Sequence, residues 1–513
     1  MPSSYEAPSS ELNGVTANVE TDEETPGIHD DRGQWGSKWE FLLSCVGLSV
    51  GLGNVWRFPY LAYQYGGAAF LIAYLILQIL IGKPMYMMEL VMGQYSGRGP
   101  TAVWAMNPSA KGVGISMALI SLIVAIYYNV IMAYTLYYFF ASMQKTLPWT
   151  VCKDEWLPLG CVEKTQKQVQ PCTGNSTIDL MVGKCLCNTT DDSFNSQLAV
   201  NCTNTTNVAV SELYFDDALL ISIMDVVTSI IAGFVIFTTF GGMAKKLGVE
   251  VKDVAKGGYG LAFIAYPEAL TSLPPPQLWS ILFFFMLFTL GLDSEFALLE
   301  TVMTCIQDEY PKLRKYKSHM CVGFGVALYL IALPCVTPAG DYIVTLMDAY
   351  GADFSVLFVA TCECIGVMWV YGVNRFIADC TYMLGHPPRP IIFWAVCWAG
   401  CAPLLIGALF LYKMVKFTPP KISKDVPYPE FAQGIGWALT IVVLLPIPIT
   451  FVYKFIRAEG GLIDRLREIT TPDADWGPND GSDKRPLQNT FEMERKYGLD
   501  NPGAVNSNGN INM

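Results

Sequence analysis

The sequence predicts an all-α membrane protein with about nine apolar spans. Three observations predict it. Of 513 residues, 52% are hydrophobic and only 15% charged, with a mean hydropathy of +0.34; a soluble domain of this size carries more charge. The apolar residues fall into nine stretches long enough to cross a bilayer. Polar punctuation sits inside the first stretch, where lipid would not tolerate it. In order the stretches are Trp39–Ala62, Ala68–Met92, Val113–Met143, Ala218–Met243, Leu278–Ile306, Met320–Pro334, Tyr342–Tyr371, Ile391–Leu411 and Ile435–Phe455. The sixth is short. The seventh has length for a tilt or a kink. No cleavable leader precedes the first, because residues 1–38 are polar and acidic, so the first span serves as its own insertion signal.

The first span reads Gly47-Leu-Ser-Val-Gly-Leu-Gly-Asn-Val-Trp-Arg-Phe-Pro-Tyr60. A Gly-rich packing face between helices accounts for the glycines. It does not account for Asn54, Arg57 and Pro59 together. Freed backbone carbonyls and an arginine are tolerated at that depth only where they line a protein cavity. A helix broken near its middle is how many secondary transporters build an ion and substrate site.

The chain divides by composition into an acidic cytosolic tail (1–38), three spans (39–143), a polar loop (144–216), six further spans (217–456) and a charged C-terminal tail (457–513). Both tails read as solvated, and they supply much of the net charge of −12. Nine of the 15 cysteines lie in or beside apolar segments as buried thiols. The other six, Cys152, Cys161, Cys172, Cys185, Cys187 and Cys202, share the polar loop with the N-glycosylation sequons at Asn175, Asn188, Asn201 and Asn204. Their confinement to one loop marks it as extracellular and oxidising. Cys152 and Cys161 are the preferred disulfide pair, and pairing of the other four is open. The three histidines form no metal spacing, nothing suggests nucleic-acid binding, and no nucleophile elbow, P-loop or zinc motif points to an enzyme.

Topology by charge fails to close. Three spans from a cytosolic N-terminus put the sequon loop outside, as required. Two more spans then place the basic loop Asp308–His319, with Lys312, Arg314, Lys315 and Lys317, outside as well. That loop and the tail with Arg457, Arg465 and Arg467 both favour the cytosol, whereas the loops Ala244–Pro276 and Lys413–Glu430, with four lysines each, pull the other way. Either an odd number of spans is missing between the sequon loop and Ala218, or one apolar segment does not cross.

These residues resemble the neurotransmitter:sodium symporter family, and within it the arthropod nutrient amino acid transporters. The resemblance covers roughly Arg32 to Arg457. It rests on Gly53-Asn-Val-Trp-Arg-Phe-Pro-Tyr60, Gly82-Lys-Pro-Met-Tyr86, Met92-Gly-Gln-Tyr95, Tyr128-Asn129, Tyr266-Pro-Glu-Ala269, Leu290-Gly-Leu-Asp-Ser294 and Trp369-Val-Tyr-Gly372. It implies an inverted-repeat fold of twelve spans. Ser211-Glu-Leu-Tyr-Phe215 looks like the end of the family's loop before the fourth span, and Asp217-Ala-Leu219 like the start of the seventh. The fold is therefore expected to be incomplete, lacking the fourth to sixth spans, with the join at Phe215–Asp216.

The resemblance also implies a site. One sodium ion would take the carbonyls of Gly47 and Val50 with Leu290, Asp293 and Ser294; the other would take Ser49, Asn54 and Asp225. Hard cations need such oxygen ligands, and an acid buried in a span suits one. Gly51 stands where monoamine members carry Asp, which leaves room for a substrate carboxylate near the broken helix. Tyr128 would donate to that carboxylate, with Val124 one turn earlier on the same face. Arg57 with Asp348 would form an outer gate; Arg32 with Asp308 would form an inner one, near Trp35. Tyr74 and Ser229 match chloride positions whose partners belong to the missing sixth span. Side-chain preference would depend on that span and on positions near Val344 and Glu295.

The implied function is a sodium-coupled amino acid symporter of the plasma membrane, with Na+ co-transported, Cl− as a further co-ion, and amino acid and lipid bilayer as partners. An oligomer is compatible with this reading. The alternative is a truncated, non-transporting isoform that is retained in the endoplasmic reticulum or regulates full-length copies.

Overall fold

A computed structural model describes residues 37–150, 177–179, 184–186, 227–234, 262–263, 266–271, 273–423 and 426–478. Arg32, Trp35, Asp225, Cys152, Cys161 and the sequons Asn175, Asn188, Asn201 and Asn204 lie outside the described residues.

The described chain is almost entirely helical. Ser37 caps α1 (Lys38–Ser49) by accepting from the Glu40 N–H at 3.3 Å. Helix α2 (Phe58–Gln64) follows a π-turn at Gly53–Arg57. Then come α3 (Ala68–Ser96), α4 (Lys111–Ala141), α5 (227–234), α6 (Tyr266–Leu270), α7 (Pro276–Glu309), α8 (Pro311–Val336), α9 (Gly340–Leu384), α10 (Ile391–Val415), α11 (Glu430–Arg457) and α12 (Leu462–Thr470). Two short antiparallel hairpins complete the description: β1 (Thr177–Asp179) with β2 (Lys184–Leu186), and β3 (Lys421–Ser423) with β4 (Val426–Pro427). The first pairs Ile178 with Cys185, inside the cysteine-rich loop.

Among the described residues, seven helices are long and apolar enough to cross a bilayer, or eight with α1 and α2 counted as one bent span. Eight of the nine expected stretches meet these elements. The remaining one, Ala218–Met243, is described only over 227–234. The short sixth stretch proves longer than its apolar run, because α8 starts at Pro311 in a 3-10 turn that holds the basic residues Arg314 and Lys315. Helix α9 is 45 residues long and contains π-turns at Met347–Asp353 and Ile365–Gly372, irregularities at which long helices bend.

Two apolar clusters hold the bundle. One gathers Leu52, Val55, Tyr127, Val130, Tyr266, Phe284 and Leu287 around the break in the first span. The other gathers Met88, Trp104, Val113, Phe376 and Trp398; there the Trp398 indole donates to the Pro84 carbonyl at 2.7 Å and Asn107 Nδ2 to that of Gly366 at 3.0 Å. Outward positions are apolar too: Val415 is 81% exposed and Ile392 75%. On a helix of this length such a surface suits lipid rather than water.

After α12 the chain turns back on the bundle. The Asp473 N–H donates to the Ala105 carbonyl at 2.8 Å. The Trp476 indole donates to the Tyr371 hydroxyl at 2.9 Å, and that hydroxyl donates to Asp379 at 2.6 Å. Arg98 donates to the Asp475 carbonyl at 2.6 Å. Burial pushes the Asp473 carboxyl up, against the opposing pull of Lys454 and Arg98. A raised carboxyl opposes docking once ionised, so the docked tail tightens as pH falls through the carboxylate range, and the opposition is fully present at neutrality. Trp476→Ala removes the indole from Tyr371 and Tyr95, whose rings lie 6.0 and 5.5 Å away. The expected local loss is about 1–3 kcal/mol, read as faster proteolytic cleavage in 471–478 with the helical bundle intact.

Candidate functional site

The break lies where the glycine-rich sequence places it. Helix α1 ends at Ser49, and Val50 leaves the helical region with φ −97° and ψ 89°. The limbs before and after diverge by 51°. Freed backbone groups find local partners: the Asn54 N–H donates to the Gly51 carbonyl at 3.2 Å, and the Gly51 N–H to Asn54 Oδ1 at 3.3 Å. The Tyr266 hydroxyl donates to the Val55 carbonyl at 2.9 Å. Helix α6 thus closes an acceptor whose helical i+4 partner, Pro59, has no N–H to give. Tyr266 carries part of the resemblance, yet its role as a cap on the break is visible only in the structure.

Three helices converge here. Asp293, Ser294 and Glu295 are consecutive on α7 and face different neighbours. Asp293 lies against Gly47: a Cβ there would overlap its carboxylate. Its Oδ2 is buried and has no hydrogen-bond partner. Ser294 Oγ faces Gly51, 3.5 Å from where a Cβ would stand, and also faces the Tyr128 hydroxyl of α4. That hydroxyl faces the Leu52 backbone as well. Glu295 Oε1 accepts from Asn129 Nδ2 at 2.6 Å. Val124 packs between the two apolar clusters one turn before Tyr128. From α5, Ser229 accepts from Asn54 Nδ2 at 2.9 Å.

The expected residues are thus only partly assembled. Gly47, Asp293, Ser294, Gly51 and Tyr128 meet. Ser49 Oγ donates back to the Cys45 carbonyl at 2.9 Å, and Ser294 Oγ donates to Leu290 at 3.4 Å. Asn54 reaches Ser229, whereas Asp225 is outside the described residues. Tyr74 meets Phe58 edge-on and stacks on Phe70, with ring centroids 4.9 and 6.3 Å away. Arg57 is exposed and makes no ion pair with Asp348, which accepts from the Tyr127 hydroxyl at 2.9 Å instead. Asp308 accepts from the Gly99 N–H at 2.9 Å and pairs with Arg314 at 3.6 Å. Asp348 thus ties α9 to α4, and Asp308 ties α7 to α8 and to the segment between α3 and α4.

A cation fits the Asp293 end of the site. A buried carboxylate oxygen without a donor is costly, and a cation that sheds its water there supplies the missing partner. Serine hydroxyl and backbone carbonyls are the hard ligands such a cation takes. Two further intramembrane acids escape a motif search. Glu363 is 2% exposed, and with Glu89 and Arg98 it lines a cavity of about 450 Å³ between α3, α4 and α9. Their signal was simply an ionisable residue inside an apolar span.

A helical bundle of this length with a broken first span and an orphaned acid beside it defines a membrane transporter built on a discontinuous helix. The family model described as the sodium:neurotransmitter symporter family matches residues 32–186 and 193–458. The chain belongs to that family of symporters and is a multi-pass membrane protein. It is 35% identical over 578 residues to the human sodium- and chloride-dependent neutral and basic amino acid transporter B(0+), covering 88% of this chain and 90% of the relative. It is 32% identical over 576 residues to the sodium- and chloride-dependent glycine transporter 2 of Xenopus laevis, covering 87% and 72%. Among solved structures, MhsT in complex with L-phenylalanine superposes with a TM-score of 0.52 at 19% identity, covering 74% of this chain and 99% of that one. At that identity the likeness speaks for the fold alone.

Proposed function

We propose that the chain is a sodium-coupled symporter of amino acids at the plasma membrane, of the nutrient amino acid transporter type. The observation that carries this reading is the buried, unpartnered Oδ2 of Asp293 held against Gly47 at the break. Relatives whose names give sodium- and chloride-dependent amino acid and glycine transport support it. Sodium is cargo here. One ion binds Gly47, Val50, Leu290, Asp293 and Ser294, and the other binds Ser49, Asn54 and Asp225. The substrate carboxylate meets Tyr128 beside Gly51 and Val124. Arg57 closes on Asp348 in a conformation other than this one, and Arg32 pairs with Asp308 as the inner gate. Chloride at Tyr74 and Ser229 needs further ligands that the family draws from the sixth span. The loop 144–216 is extracellular, glycosylated at its four sequons and bridged between Cys152 and Cys161.

A second reading is a non-transporting isoform, and one observation favours it. The alignment to the human relative spans 578 residues, yet takes in only 88% of 513. On the order of 125 aligned positions therefore face gaps in this chain, enough for three spans with their loops. This supports the loss of the fourth to sixth spans, the topology parity among them.

Uptake of a mixed amino acid panel, with surface labelling, in cells expressing the 513-residue chain separates the two. Sodium-dependent uptake by surface protein supports the symporter. Core-glycosylated protein that stays inside and takes up nothing supports the isoform.

A further inference from the structure

The cavity of about 450 Å³ that Glu363 and Glu89 share takes no part in the cation site proposed above. Thr301 of α7 lines it seven residues beyond Ser294, and Ser121 of α4 lines it seven residues before Tyr128. Along each helix that separation is about 10 Å. Most of the wall is apolar and buried, with Met92, Trp104, Ile120 and Val359. Apolar walls with a few converging polar groups, in a volume of roughly 300–1,000 Å³, suit a small organic ligand.

The polar groups decide its charge. Glu363 is 2% exposed and makes no hydrogen bond or ion pair among the described residues. Glu89 of α3 is exposed and near enough for the two charges to oppose one another. Arg98 already donates to the Asp475 carbonyl at 2.6 Å. The Ser121 and Thr301 hydroxyls donate to the Met117 and Ala297 carbonyls of their own helices at 3.0 and 2.8 Å, which leaves their oxygens free to accept. Two opposed carboxylates in an apolar wall call for a cation beside them. A bare metal ion would leave the apolar space empty, and among the described residues no group of three His, Cys, Asp or Glu side chains could hold one. An ammonium on an apolar body satisfies both parts. Room for that body adjoins the acids: Gly93, one turn after Glu89, lines the cavity, and a Cβ there would meet nothing within 4 Å.

We propose that this cavity is a second ligand site, separate from the broken helix, for an organic ammonium that carries a large apolar group. Glu363 and Glu89 receive the ammonium, and the wall around Trp104 and Ile120 receives the apolar group. A free apolar amino acid and the amine lacking its carboxylate share that chemistry. The proposal does not depend on the symporter reading.

The test is equilibrium binding of radiolabelled phenylalanine and phenethylamine to the purified full chain in potassium without sodium, with 2-phenylethanol as the uncharged competitor. The expected result is saturable binding of phenethylamine, against which 2-phenylethanol competes at least tenfold more weakly. Phenylalanine binding equally well supports an amino acid as the occupant, and phenethylamine binding alone supports an amine. Glu363→Gln lowers the affinity about tenfold or more. Gly93→Phe fills the cavity and abolishes this binding at an unchanged unfolding temperature. Asp293→Asn leaves it as in the parent. No saturable binding in potassium overturns the proposal, as does competition by 2-phenylethanol as strong as that of the amine. Unchanged affinity in Glu363→Gln and Gly93→Phe overturns it too, and loss in Asp293→Asn assigns the binding to the broken helix instead. If only sodium-dependent amino acid binding is missing, the symporter reading fails and this site stands.

Discussion

Asp293→Asn is expected to abolish sodium-stimulated amino acid binding while leaving the folded chain no less stable without sodium. The two effects have opposite signs because they arise from the same atom. In the absence of sodium, Oδ2 is buried beside Gly47 with no donor, and an amide there removes a buried charge. In the presence of sodium, the amide removes the formal charge that compensates a dehydrated cation. Breaking such a buried pair costs about 3–5 kcal/mol, so the apparent sodium affinity drops by two orders of magnitude or more. Thermal unfolding of the purified chain and the variant, each with sodium and with choline, checks both signs. Sodium stabilises the parent by mass action and leaves the variant unmoved. A variant destabilised equally in both salts would make Asp293 a structural acid.

Gly112→Val is expected to have the largest effect on folding. Gly112 stands at the start of α4, where a Cβ would overlap the Pro446 carbonyl and the Ile447 Cα of α11. Both are backbone atoms next to a proline and cannot turn aside as a side chain would. Overpacking of this kind costs about 1–3 kcal/mol, with backbone contacts toward the upper end, and α4 is the helix that carries Val124, Tyr128 and Asn129. The variant should show a lowered unfolding temperature and weaker substrate binding together. Gly93→Ala on α3, with nothing within 4 Å of the added methyl, is the control expected to keep the parent's stability.

The sequence carried the helical class and most of the spans because apolar runs of bilayer length have few other uses. The break at Gly47–Tyr60 was legible for the same reason in reverse: Asn54, Arg57 and Pro59 have no place in a lipid-facing helix. Asp293 was legible as an acid in a span. Its closeness to Gly47 was not, since a missing Cβ reveals a contact only once the partner helix is placed. Glu295 was legible only as a position bearing on side-chain preference, because its hydrogen bond to Asn129 crosses 166 residues of sequence. Sequence alone does not separate Tyr127 from Tyr128. One helical step separates them, and only the packing shows that Tyr127 reaches Asp348 while Tyr128 reaches Ser294. The docking of Trp476 had no sequence signal, because a lone tryptophan in a charged tail has no periodicity to read.

The central claim is that the broken first helix and Asp293 couple sodium to amino acid movement. Its most direct test is uptake into proteoliposomes that contain the purified 513-residue chain, driven by an inward sodium gradient. The account predicts amino acid accumulation above the external concentration that collapses when a sodium ionophore dissipates the gradient. Sodium-dependent binding in the same preparation without any accumulation would contradict it, and would leave a site that binds but does not carry.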